Sequence, residues 1–277
     1  MPISRHLTAL PLLAMLASCY GDHYDVRPSV LVVEGHISAD GFPEVFLTKS
    51  VVLQSNKEYS ADDLGKQIVE DAVVKISDGD TTVTLIGRMN DEHSIPFYYT
   101  TSWMKGEVGK TYTLDVTCAG YHATATATVP EPVELESVKV TKLSGDQGYK
   151  ITGHVGDIGS TGYYKIFVSR GAKNDLVSPS MGLYTKENLG TGCDIPINCE
   201  TTVWSMLADT TVTSRDVHVC FCAIDDTAYR FWREDESQST LRGNPLFQVE
   251  SSLPTNITGG IGYWQGWGMT EYDVRLN

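Results

Sequence analysis

Apolar and polar residues alternate with a period of two through most of this chain, which is the signature of half-buried strands. The pattern predicts strands over Leu31 to Ser38, Val45 to Ser50, Val69 to Ser77, Thr82 to Ile86, Thr111 to Cys118 and His122 to Val129. Ala123 to Thr128 alternates strictly between alanine and threonine, which suits a sheet with one face pressed under a close neighbour and the other wet. Asp78-Gly79-Asp80 between two such runs is a hairpin signal. Six or seven strands in about 100 residues, with no helical stretch, is the content of an immunoglobulin-like sandwich.

Pro130-Glu131-Pro132 interrupts the alternation, since proline cannot donate to a ladder and stiffens the chain. The expected organisation is a first sandwich over residues 29–130 and a second β-sandwich domain over 133–277. In the second, strands are predicted over Glu134 to Leu143, Tyr149 to Val155, Tyr163 to Ser169 and Val212 to Ile224. A long loop rich in Gly, Asn, Ser and Pro fills 170–211. One short helix is predicted near 226–237, with Asp225 or Asp226 as its cap and Tyr229 and Trp232 three apart on one face. The fold class expected is therefore mostly β, two sandwiches and one helix.

The amino-terminal segment reads differently. Arg5 precedes an apolar stretch from Leu7 to Ala17 that is too short for the roughly 20 residues of a membrane span, and Leu16-Ala17-Ser18-Cys19 closes it. This is the form of a bacterial lipoprotein signal over residues 1–18. Cys19 is the expected lipidation site, and 19–28 a tether from a lipid anchor to the folded body. Several acyl chains would hold such a protein stably at a membrane. Its expected location is the outer membrane, with the cell surface favoured over the periplasmic face. The net charge of −14 argues against nucleic acid as a partner.

Six cysteines matter in an oxidising compartment. Cys118 falls at an apolar position of its strand and reads as a buried thiol. Cys193, Cys199, Cys220 and Cys222 are disulfide candidates. Cys220 and Cys222 share one face of a strand with Cα atoms about 6.5–7 Å apart, too far for a comfortable bridge to each other. The expectation is that the Cys193–Cys199 segment is stapled onto them. His218, Cys220 and Cys222 also form the one cluster with metal-ligand character. Oxidation of the thiols and the need for a fourth ligand favour disulfides, so neither a metal nor a cofactor is expected.

No nucleophile elbow, His-Glu-x-x-His or phosphate-binding glycine loop occurs in the sequence. The glycine-rich aromatic tail holds Tyr263, Trp264 and Trp267, and Trp204 lies in the long loop. Such rings stack on sugar faces or fill a core. All four stand as binding candidates for a glycan or peptide ligand, with Trp267 expected to be the most exposed of the tail.

Leu31-Val32-Val33-Glu34-Gly35, Asp71 to Ile76 and Gly109 to Leu114, followed by Ala228 to Trp232 and Asn256 to Trp264, resemble in order the Bacteroidota outer-membrane lipoproteins grouped as domain of unknown function 4249. The resemblance implies a lipid-anchored outer-membrane protein acting beside a TonB-dependent β-barrel transporter. It supplies no catalytic residues. The loop around Cys193 and Cys199 is not a feature of that family. Asp22 and Asp25 behind Cys19 faintly resemble the acidic tag that exports such lipoproteins to the surface. The expected function is a non-enzymatic accessory or ligand-capture lipoprotein. An adhesin or pilus-like subunit is the alternative, and a glycan or peptide hydrolase ranks last.

Overall fold

A computed structural model describes residues 29–50, 65–91, 93, 95–142, 149–155, 162–170, 182–189, 197–198, 216–241 and 253–275. The first half contains β1 (Leu31–Ser38), β2 (Glu44–Lys49), β3 (Val73–Ser77), β4 (Thr82–Thr84), β5 (Ile86–Met89), β6 (Phe97–Thr100), β7 (Thr111–Cys118) and β8 (Tyr121–Thr128). After the prolines come β9 (Leu135–Lys142), β10 (Tyr149–Val155), β11 (Tyr163–Arg170) and β12 (Leu183–Thr185), then the single turn α1 (Lys186–Leu189) and β13 (Ile197–Asn198). Strand β14 (Asp216–Ile224), helix α2 (Asp226–Leu241) and strand β15 (Ile261–Arg275) complete the described chain. The protein is mostly β, built from packed sheets as its alternation requires.

One eight-stranded sheet, in the order β12-β11-β14-β15-β1-β2-β6-β5, is the backbone of the molecule. Two smaller sheets, β4-β3-β7-β8 and β13-β10-β9, cover it. The first core lies between the large sheet and β3-β7-β8. Leu31, Val33 and Ile37 of β1 and Val45 and Leu47 of β2 meet Val74, Ile76, Leu114, Val116 and the three alanines of β8 there. Cys118 is buried in it, as its strand position predicts. The second core lies between β9-β10 and the other end of the large sheet, and holds Leu135, Val155, Tyr164, Ile166, Val168, Val217, Val219 and Phe221.

Strand β15 joins the two halves. Its start pairs parallel with β1 from Val32↔Ile261 to Ser38↔Trp267, and its end pairs antiparallel with β14 from Ala223↔Gly268 to Asp216↔Arg275. The 29–130 and 133–277 units expected from sequence therefore share a sheet. The tail glycines make this possible. A Cβ on Gly266 would collide with the Thr128 carbonyl oxygen, and one on Gly268 would sit 2.7 Å from the carbonyl oxygens of Pro130 and Glu131. The proline break is thus where the chain crosses closely over β15 while passing from one small sheet to the other.

Two further details differ from expectation, the 170–211 segment and the length of the helix. The segment 170–211 is not wholly a loop: β12 extends the large sheet, α1 follows it, and β13 pairs with β10. The expected helix of the second half, α2, lies on the outer face of the large sheet. Asp225 caps it through Oδ1, which accepts from the Ala228 N–H at 2.7 Å. The helix runs to Leu241, beyond the expected 237. Ala228, Phe231 and Trp232 pack onto Phe167, Cys220, Cys222, Ile224 and Trp267. Strand β14 is consequently buried on both faces.

Candidate functional site

Two places collect functional side chains. The first is a pair of loops at the end of the large sheet, between β1 and β2 and between β6 and β7. Their backbones are bonded to each other: the Asp40 N–H donates to the Gly106 carbonyl at 2.8 Å, and the Gly106 N–H donates to the Gly41 carbonyl at 2.9 Å. Asp40 adopts a left-handed φ of 57° to make that turn. The buried Tyr112 hydroxyl braces the second loop, donating to the Lys105 carbonyl at 3.0 Å and accepting from the Glu107 N–H at 2.9 Å. Met104 anchors it in the first core. Between these fixings Trp103 is held 82 % exposed, with its backbone N–H donating to the Thr101 hydroxyl. Phe42 and Val108 on the same pair of loops are also exposed, and the Lys105 ammonium lies 5.1 Å from the Phe42 ring centre. A solvent-facing indole on braced loops that also expose a ring and a cation is suited to contacting another molecule. The sequence reading passed over Trp103, although the run Ser102-Trp103-Met104-Lys105-Gly106 places it outside any alternating strand.

The base of these loops is short of water. His36 on β1 lies opposite Glu44 on β2 and stacks on Trp267 with ring centres 3.9 Å apart. Burial, and then the proximity of His93, lower the His36 pKa to about 3. Burial raises the Glu44 carboxyl to about 7.

The second place is a polar ladder on β14 and β15. Across the antiparallel register His218 faces Asp273, Cys220 faces Glu271 and Cys222 faces Met269, so all six side chains share one face. His218 Nδ1 lies 2.9 Å from Asp273 Oδ1, and Nε2 lies 3.2 Å from Glu271 Oε1 and 3.3 Å from Cys220 Sγ. Cys220 is 1 % exposed, so the Cys–His–Asp order lacks the access a catalytic nucleophile needs. Cys222 lies deeper beneath α2, where burial above all, and then Cys220 and Glu271, push its thiol well up.

The predicted sites fare as follows. Among the described residues no disulfide joins Cys220 or Cys222, and Ala228, Phe231 and Trp232 of α2 pack in the same cluster as both. Cys19, Cys193, Cys199 and Trp204 lie outside the described residues, as does the tether. The tail rings are structural. Trp264 is fully buried in the first core, with its indole N–H donating to the Tyr112 carbonyl at 3.0 Å. Trp267, expected to be the exposed ring, is only 3 % exposed. It is sandwiched between His36 and Phe167, and both it and Trp232 donate to Gln265 Oε1. Tyr263 packs on Phe231 and Trp232. The physical reason is α2, which turns what looked like a wet face into a second interior.

Comparison with known proteins places this architecture in a family. A family model described as a domain of unknown function (DUF4249) matches residues 22–273, and the chain belongs to that family. No curated protein matches it. Among solved structures it is similar to the crystal structure of chicken CNTN1 FN1-FN3 domains, at 12 % identity and a TM-score of 0.24. That likeness covers 88 % of this chain and 66 % of the other, so the chain spans just under two thirds of that structure.

Proposed function

We propose that this protein is a lipid-tethered, non-enzymatic binding module of the outer membrane that captures a glycan or peptide ligand, or docks on a TonB-dependent β-barrel, through the paired loops bearing Trp103. The observation that carries the reading is the 82 % exposure of Trp103 on loops braced by Tyr112 and by each other. An aromatic side chain held in water by its own framework costs little further entropy when a partner covers it. Leu16 to Cys19 supports the tether. Two partners anchored in one membrane meet at high effective concentration, so modest loop contacts suffice.

The test is affinity recovery of the full-length protein from gently solubilised outer membranes. Wild type should bring down a large β-barrel or retain a ligand, and Trp103→Ala should weaken that recovery about 10- to 30-fold without changing the melting temperature. Equal recovery by both proteins removes the loops from the mechanism. In parallel, Cys19→Ala should abolish fatty-acid labelling and release the protein from the membrane fraction.

A further inference from the structure

We infer that His218, Cys220 and Glu271 form a mononuclear binding site for Zn²⁺, with Asp273 orienting the imidazole. The three donor atoms all lie within 4.8 Å of one another. Cys220 Sγ is 3.3 Å and Glu271 Oε1 3.2 Å from the same nitrogen, His218 Nε2. With metal–ligand bonds of about 2.0–2.3 Å, the edges of a tetrahedral site measure roughly 3.3–3.7 Å. The donor spacing is therefore close to that of ligands around one ion. Side chains that converge on one nitrogen from two strands are arranged as a coordination shell is.

The histidine is set up for this role from behind. Asp273 Oδ1 lies 2.9 Å from Nδ1, which selects the tautomer that leaves the Nε2 lone pair facing Cys220 and Glu271. A carboxylate behind the imidazole is the usual outer partner of a zinc-bound histidine. An independent feature points to the same spot. Ser169 on β11 lies opposite His218 on the same face, is 1 % exposed, and its hydroxyl has no hydrogen-bond partner. A buried hydroxyl without a partner is costly unless something occupies the space beside it, and a thiolate or a metal-bound water would accept its proton.

The donor chemistry selects the ion. Thiolate with imidazole favours Zn²⁺ over Mg²⁺ or Ca²⁺, which take oxygen ligands. Glu271 and Asp273 have side chains 49 % and 56 % exposed, so the site opens to solvent on that side and a water completes four-coordination. The ligands sit on adjacent strands in fixed register rather than on loops, so little ordering is needed to bind. Bound metal would clip β14 to the strand that both halves of the molecule share.

The experiment is metal titration of the full-length protein, purified reduced. Wild type should retain about one equivalent of Zn²⁺ after dialysis, and Co²⁺ substitution should show a sulfur-to-cobalt charge-transfer band. Cys220→Ser should lose that band. Glu271→Gln and Asp273→Asn change only the exposed rim and keep the test valid should Cys220→Ser fail to fold. Asp273→Asn should weaken Zn²⁺ 10- to 100-fold. Cys222→Ala should leave the stoichiometry unchanged. The site is refuted if wild type holds no more zinc than Glu271→Gln, if the Co²⁺ spectrum lacks the sulfur band, or if Cys220 of the native protein is found in a disulfide.

Discussion

His36 and Glu44 face each other across two strands with their ordinary charges suppressed, and the pH dependence of stability follows from that. For His36, the folded pKa of about 3 lies below the ordinary 6.5. Its contribution is complete above pH 6.5 and is lost as pH falls toward 3, because the unfolded chain takes up the proton first. Glu44, at about 7 against 4.5, acts in the opposite sense. Its contribution is complete below pH 4.5 and is lost as pH rises to 7. Glu44→Gln should therefore raise the melting temperature at pH 8 by roughly 2–4 °C and leave it unchanged at pH 4. His36→Gln should protect selectively below pH 6. Melting curves across pH 3.5–8.5 would check both, and a pH-independent difference for either variant would contradict the assignment. Trp103 is the contrasting residue: it touches little of its own protein, so its replacement should register in binding and not in stability.

At the scale of elements, α2 determines what the large sheet can bury. Lys165 of β11 is fully buried beneath it, 2.8 Å from Glu236 and 5.3 Å from the Trp232 ring centre. Removing one member of such a pair strands the other charge in a poor solvent. Glu236→Ala should destabilise the fold by on the order of 3 kcal/mol, whereas Lys165→Met should cost distinctly less, since an apolar chain of similar length suits that site. Urea denaturation of the two variants orders them, and the reverse order would show the ion pair to be dispensable. The helix was legible in the sequence from Asp225 and the Tyr229–Trp232 spacing. What it covers was not, because Phe231, Trp232 and Ala228 state that a partner surface exists and not which one. Hence Trp267 read as an exposed ring and proved to be interior. Strand β6 was missed for a related reason: Phe97 to Thr100 is apolar without a clean alternation.

For the whole molecule, the shared strand β15 has the strongest consequence. Two independent sandwiches joined at Pro130-Glu131-Pro132 would melt separately. A sheet running through both should melt once. Far-ultraviolet circular dichroism, which reports all strands, and tryptophan fluorescence, to which the buried Trp232, Trp264 and Trp267 contribute, should give coincident transitions. Gly266→Ala forces a Cβ against the Thr128 carbonyl and should lower that single transition by about 1–3 kcal/mol for both signals together. A shift in one signal alone would separate the halves.

Alternation by itself determined that this chain is a stack of sheets, that Cys118 and the alanines of β8 face inward, and that the chain changes direction at residues 130–132. Those are local properties: side-chain period and proline chemistry act within a few residues. Tertiary structure alone decided that β15 returns to lie parallel with β1, that both faces of β14 are interior, and that His218 and Cys220 meet Glu271 and Asp273 some 50 residues further along the chain. Strand pairing depends on backbone hydrogen bonds, which every residue can make. The side chains therefore say that a strand will find a neighbour, while the packing of the complete chain selects which one.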